Sequence, residues 1–332
     1  MQVILARGEL LKITTIRFDE ISTAGRDYME LVSKVVKHPH LLPARKFQTA
    51  QRSHFLWSVA LPMVLVTSGP LWLPAGWLSW RGFALGVVMW WLVGCLGVTV
   101  GLHRLIAHRS FMVAPWLRYL LGGLGQMAAQ GSVIYWTAVH RCHHTLSDQP
   151  GDPHSPAQTA RPEMSALQSF WKGHVGWTVS HDVPKPTRFA LELLNDHVAK
   201  KLTAQYWSWV AAGWVLPAMM GAVCLSTAHM PWYAAAVVGA WWGGALRLAV
   251  GHNIIWSINS ICHRFGKRPY ATNDHSGNVA WLAVISWGES WHNNHHHSAT
   301  SARLGRGWLQ PDIGWCCVAT LRKLGLATGV RG

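Results

Sequence analysis

Three stretches of this chain carry no Asp, Glu, Lys or Arg: residues 53–80 ("SHFLWSVALPMVLVTSGPLWLPAGWLSW"), 82–102 ("GFALGVVMWWLVGCLGVTVGL") and 202–246. A hydrocarbon core is crossed by about 20 apolar residues in a helix, and in lipid only helices or closed barrels satisfy their own backbone groups. Each of the first two runs is long enough for one span. The third is 45 residues long and broken near its middle by "STAHMPW", which makes it a helical hairpin. The chain is therefore read as an all-α integral membrane protein with four transmembrane helices in two hairpins. The shorter, glycine-rich stretch 117–131 ("LRYLLGGLGQMAAQG") is read as an interfacial or re-entrant helix. Only 13% of residues are charged, against about 25% in soluble domains. The chain also carries 22 tryptophans, a residue type that favours the membrane–water interface.

Charge sets the orientation. The two hairpin loops share one basic residue, Arg81, whereas residues 1–53 hold nine, 103–201 hold ten and 259–332 hold eight. Positively charged loops stay cytoplasmic, so both termini and the central loop are assigned to the cytoplasm. Residues 1–53 form a cytoplasmic N-terminal segment without the apolar core of a cleaved signal, and residues 54–332 form one domain. The six cysteines make no CxxC pair and no disulfide framework. A net charge of +15 without a dense basic run or a reading-helix motif fits a membrane surface or an acidic partner, not nucleic acid.

Nine histidines then fall on one side of the membrane. His103 and His108 ("HRLIAH") follow the second span, and His140, His143 and His144 ("HRCHH") lie in the central loop. His263 follows the fourth span, and His292, His295 and His296 ("HNNHHH") come after it. On a helix, HxxH residues share a face while adjacent ones diverge by about 100°, so each HxxHH element can reach two metal ions. Imidazole suits iron, copper, nickel or zinc. A ferritin-like site needs two Glu-x-x-His pairs, and only Glu289/His292 is present. GxSxG, P-loop and HExxH motifs are absent. A membrane transporter would need ionisable ligands within the spans, which disfavours a non-enzymatic metal-binding role.

These motifs resemble the membrane fatty acid desaturases, in particular the stearoyl-CoA (Δ9) branch of bacterial type. The likeness lies in "LGVTVGLHRLIAHRSF", "HRCHHTLSDQPGDPHSP" with "HVGW", "LRLAVGHNIIWSINSICHRFGKRPY" and "GESWHNNHHH", across roughly residues 85–300. The resemblance implies a cytoplasmic helical cap holding two Fe²⁺ ions on the same nine histidines, with Asn259 acting through water. It implies O₂ as co-substrate and a cis double bond, at Δ9, in a saturated acyl chain carried as acyl-CoA. It implies a bent tunnel lined by Gln130, Trp136, Ile255 and Trp256, its depth limited by Trp91 and Cys95, and a structural role for Arg247. No HPGG haem motif is present, so electrons would come from a separate ferredoxin, rubredoxin or cytochrome b5-like protein with its reductase.

The sequence departs from the family at three places. Ala138 stands where an arginine is expected, His181/Asp182 where an Arg-Lys pair grips coenzyme A, and Ile255 where a threonine bends the tunnel. The acyl carrier therefore stays open among CoA, acyl carrier protein and glycerolipid. A related di-iron lipid hydroxylase or ketolase is the alternative reaction.

Overall fold

The charge-free runs become helices. In a computed structural model, which describes residues 40–157 and 159–332, four helices are long and apolar enough to cross a membrane. They are α1 (Gln48–Trp72), α2 (Trp80–Ala107), α7 (Tyr206–Cys224) and α8 (Trp232–Ser260). Between and after them come α3 (Pro115–Gln126), α4 (Val133–Leu146), α5 (Ala166–His174), α6 (His197–Ala204), α9 (His292–His297) and α10 (Ile313–Lys323). Two-residue strand pairs tie Leu41–Leu42 to Val183–Pro184 and Met112–Val113 to Ala327–Thr328. Of the N-terminal segment read from the sequence, residues 1–39 lie outside the described residues.

The helix limits differ from the charge-free runs for a physical reason. α1 starts five residues early because Gln51, though polar, is buried, its side-chain amide bonding the His181 carbonyl at 2.9 Å. α2 runs past Leu102 because His103 and Arg104 are also buried, inside the protein instead of in lipid.

The hairpins interlock through α8. Trp241 donates to Leu65 O of α1 (3.1 Å) and Trp242 to Trp77 O (2.9 Å). Gly69 and Gly82 leave room for the two indoles: a Cβ there would lie 2.5 Å and 2.4 Å from the ring nitrogens. The glycine-rich α3 is buried along one side against α2, and backbone meets backbone there. A Cβ on Gly97 would sit 2.5 Å from Gly125 N, and one on Gly101 2.6 Å from Leu121 O. α3 spans only about 18 Å, too short to cross a hydrocarbon core. Arg247 of α8 anchors it, donating to Met127 O (3.1 Å), Gly213 O (3.1 Å) and Gly243 O (2.6 Å). Each of its three nitrogens thus reaches a carbonyl, so the buried guanidinium is hydrogen-bonded.

Candidate metal centre

α2 changes its winding where it matters. Over Trp91–Ala107 its backbone bonds close from i to i+5, wider turns than an α-helix makes, and His108 N still bonds His103 O at 3.0 Å. On an α-helix, residues five apart would diverge by about 140°. With the wider winding the two imidazoles of HxxxxH come to a centroid distance of 4.7 Å.

The nine histidines form two groups. His103, His108, His140, His144 and His295 make one; His143, His263, His292 and His296 make the other, and within each the ligand atoms lie within 4.8 Å of one another. The HxxHH elements divide between them as adjacent residues on a helix must, but the partition is i, i+4: His140 with His144, and His292 with His296. His143 and His295 cross to the opposite group. Asn259 lines the same cavity as His143 and His292. His297 lies outside both groups, stacked on Tyr270 at 4.2 Å.

Behind the imidazoles stands a row of carboxylates. His143 Nδ1 meets Asp152 Oδ2 at 2.9 Å, His263 Nδ1 meets Asp148 Oδ2 at 2.8 Å, and His296 Nδ1 meets Asp274 Oδ2 at 2.6 Å. His103 Nδ1 lies 2.6 Å from Glu289 Oε2, and Arg104 holds Glu289 and Asp312 together at 3.1 and 2.8 Å. An imidazole that gives its Nδ1 proton to a carboxylate turns an Nε2 lone pair the other way, the arrangement of metal-ligating histidines. Asp148, Asp152, Asp274 and the backing role of Glu289 were missed in the sequence reading. Their signal was scarcity: residues 54–332 contain only nine Asp and Glu, and four of them do this. His154 packs behind His143 with ring centroids 4.4 Å apart, forming a third grouping with His143 and Asp152.

Electrostatics agree with a cation site. Burial acts to raise the Asp152 carboxyl, but the His143 imidazole and its hydrogen bond bring it down to about 2. Asp148 and Asp274 are likewise held well below the carboxylate range by His263 and His296, against burial. Burial pushes His108, His140, His144, His292 and His295 well below the ordinary imidazole value, and the neighbouring imidazoles add to the effect. Neutral imidazole is the form that binds metal.

The residues fit a pair of bound cations. Nε2 atoms face one another at 3.1 Å (His103–His295), 3.0 Å (His144–His295), 3.0 Å (His263–His292) and 2.6 Å (His108–His140). One N–H on His295 cannot serve both of its facing nitrogens. Ligands that each lie about 2.0–2.1 Å from one ion are about 3 Å apart, so a cation resolves the crowding. The buried Nε2 atoms of His143 and His296 have no hydrogen-bond partner among the described residues.

A cavity abuts both groups, touching His103 and His140 of one and His143 and His292 of the other. Its remaining wall is largely apolar and includes Trp90, Val98, Trp136, Ile254, Ile255 and Ile258. Of the expected tunnel residues, Trp136 and Ile255 line it, and Trp136 stacks on His140 at 5.0 Å. Gln130 and Trp256 line a second cavity with Tyr135 and Trp177, and Gln130 accepts from the Trp136 indole at 3.2 Å. Cys95 is buried with its sulfur 3.8 Å from Cys317. On α2 it is Trp90, Gly94 and Val98, not Trp91 and Cys95, that face the first cavity.

Fold and site define a helical protein, suited to a membrane, with paired histidine clusters at the head of an apolar cavity. The family model described as fatty acid desaturase matches residues 75–303, and the chain belongs to that family. It is 39% identical over 286 residues to a hex-5-enoyl-[acyl-carrier protein] acetylenase of Moorena producens, covering 85% of this chain and 86% of that protein. It is 36% identical over 262 residues to an sn-1 stearoyl-lipid 9-desaturase of Anabaena variabilis, covering 76% and 85%. An acyl-CoA C20 Δ5-desaturase of Anemone leveillei is 31% identical over 256 residues, covering 76% and 75%. The chain is an oxidoreductase family member acting on fatty acyl chains.

Proposed function

We propose that this protein is an O₂-dependent di-iron desaturase that inserts a cis Δ9 double bond into a saturated acyl chain of a membrane glycerolipid. The observation that carries the reading is the pair of carboxylate-backed histidine clusters against one apolar cavity. His103, His108, His140, His144 and His295 would hold one iron; His143, His263, His292 and His296, with Asn259 through a water, would hold the other. A metal pair bound there would supply, with O₂ and external electrons, the oxidant that unactivated C–H bonds require and that no side chain provides. The chain's own part is positional. Trp136 and Ile255 narrow the cavity beside the histidines, which fixes one methylene pair there and excludes water. Asp148, Asp152, Asp274 and Glu289 hold the imidazole tautomers.

The carrier follows from what replaces the family's cations. Ala138 is buried in the core, His181 is buried against Gln51 and Tyr135, and Asp182 accepts from Ala44 N at 2.9 Å. None of these positions offers a coenzyme A phosphate a free cation, and the stearoyl-lipid relative favours the glycerolipid over the acyl-CoA expected from the resemblance. The acetylenase relative favours a second reading, in which the substrate already carries a double bond. Electrons would come from a separate carrier protein, and the basic residues of the segments that carry the clusters support a cytoplasmic side for them.

The test is expression in a host with a ferredoxin and its reductase, followed by mass spectrometry of lipid-class-resolved fatty acids. A new monoene in glycerolipid, absent with His292→Ala and His143→Ala, supports the reading. A hydroxy or keto product that depends on the same histidines moves the reaction to the hydroxylase side.

A further inference from the structure

Val279–Trp287 ("VAWLAVISW") belongs to the cap by chain position, yet it is apolar except for Ser286, and no Asp, Glu, Lys or Arg stands between Asp274 and Glu289. Trp281 is 68% exposed, Val284 54% and Ile285 45%. Exposed apolar side chains in a row mark a surface that meets something other than water. Trp281, Leu282 and Ile285 help line an outer groove with Met63 and Val66 of α1 and Val250 of α8. The segment therefore lies along α1 and α8 as an apolar wedge.

The same wedge walls the inner cavity. Ser286 and Trp287 line the space that holds the histidines, and Trp90 of α2 donates to Ile285 O at 3.3 Å. Ile254 of α8 lines both the inner cavity and the outer groove, so one side-chain layer separates them. The wall is also strained and incompletely bonded. Trp287 has φ +60°, unfavourable for a bulky residue, and its indole N–H is buried without a partner among the described residues. Strained backbone of this kind is found where a segment gates or grips a ligand, and an ester carbonyl would satisfy the N–H. The Trp90 ring fills the gap between α2 and α8, over Gly94 and Gly251, where a Cβ would lie 2.5 and 2.7 Å from it.

We infer that Ile254, Ile285 and Trp287 form a lateral portal, through which the acyl chain of a membrane glycerolipid slides into the cavity without leaving the bilayer. The inference rests on the glycerolipid reading above. With the reacting carbons beside the histidines, the ester half of the chain would cross this wall. A water-soluble carrier would instead leave that half in the second cavity, among Gln130, Tyr135 and Trp256.

The experiment uses the full-length protein in phosphatidylglycerol vesicles without reductant, so that the readout does not depend on turnover. The probe is a phosphatidylglycerol whose sn-1 stearoyl chain carries a diazirine near its ester, and adducts are mapped by peptide mass spectrometry after irradiation. Labelling of Ile254, Ile285 or Trp287 is expected. Ile254→Trp should lower it by about tenfold, the effect of filling an apolar passage, and Ile254→Ala should raise it. The opposite signs separate the portal from a general folding defect. Labelling confined to Gln130, Tyr135 or Trp256, labelling insensitive to both variants, or no labelling overturns the portal. Labelling at the portal in a chain that forms no double bond in any host would overturn the reaction and leave the route standing.

Discussion

Asp148 and His263 are 115 residues apart in sequence, and their side chains meet at 2.8 Å with neither exposed to solvent. The same Asp148 oxygen accepts from His275 N at 2.7 Å. One carboxylate thus fixes a ligand of one cluster, the turn after α4 and the loop beyond α8. Asp148→Asn keeps the shape, but its amide can donate to Nδ1 and so stabilise the wrong tautomer. Loss of such a backing group lowers metal affinity by about 10–100-fold. Iron per protein, read by plasma mass spectrometry over a chelator series, should fall first at one of the two sites and leave the other filled.

Gly97→Val tests the contact between α2 and α3. Its side chain would enter space held by Leu124 and Gly125 backbone, which cannot yield as a flexible side chain would. Overpacking costs about 1–3 kcal/mol or more. The variant should show a lower melting temperature in detergent, while Gly307→Ala, with open space around it, should not.

Arg104→Met removes the one cation that Glu289 and Asp312 share. Removing one partner of a buried pair costs about 3–5 kcal/mol, and Arg104→Lys, which keeps the charge without the fork, should lose less. Thermal unfolding of the three proteins should rank wild type, lysine, methionine. An equal loss in both variants would mean that the guanidinium geometry, not the charge, is what counts.

His181 gives stability a pH dependence. Burial is the main cause that lowers its pKa to about 4, against about 6.5 when unfolded. Between these values the unfolded chain binds a proton that the folded chain does not, so stability rises with pH from about 4 to about 6.5 and is flat above. The full effect is up to about 3 kcal/mol. His181→Gln should flatten the curve of denaturation midpoint against pH in that window; an unchanged slope would show that other groups cause it.

Much of the fold was legible because lipid leaves a chain few choices. The absence of charge over 53–80, 82–102 and 202–246 announced the spans, and the nine histidines stood out against a charge-poor background. What was not legible depends on neighbours distant in sequence. His103 and Arg104 look like the end of a span until Glu289 and Asp312 arrive to pair with them. The i, i+4 partition of HxxHH needs both helices docked face to face. HxxxxH makes sense only once α2 is wound more widely than an α-helix. The wedge at 279–287 was overlooked because nine residues are too few to signal a span. Trp90 and Gly94, which line the first cavity, were not singled out because the inward face of α2 is invisible without its partners.

His103 and His295 share a cluster although 192 residues separate them. A ribosome delivers the first of these ligands long before the last, and α2 enters the bilayer with its histidines waiting. No nascent chain that stops before His295 can offer either cluster its full set of nitrogens. Metal insertion must then be a late event, after α8 has locked the two hairpins together. Premature termination between Ser260 and His292 would leave all four apolar helices and neither cluster complete.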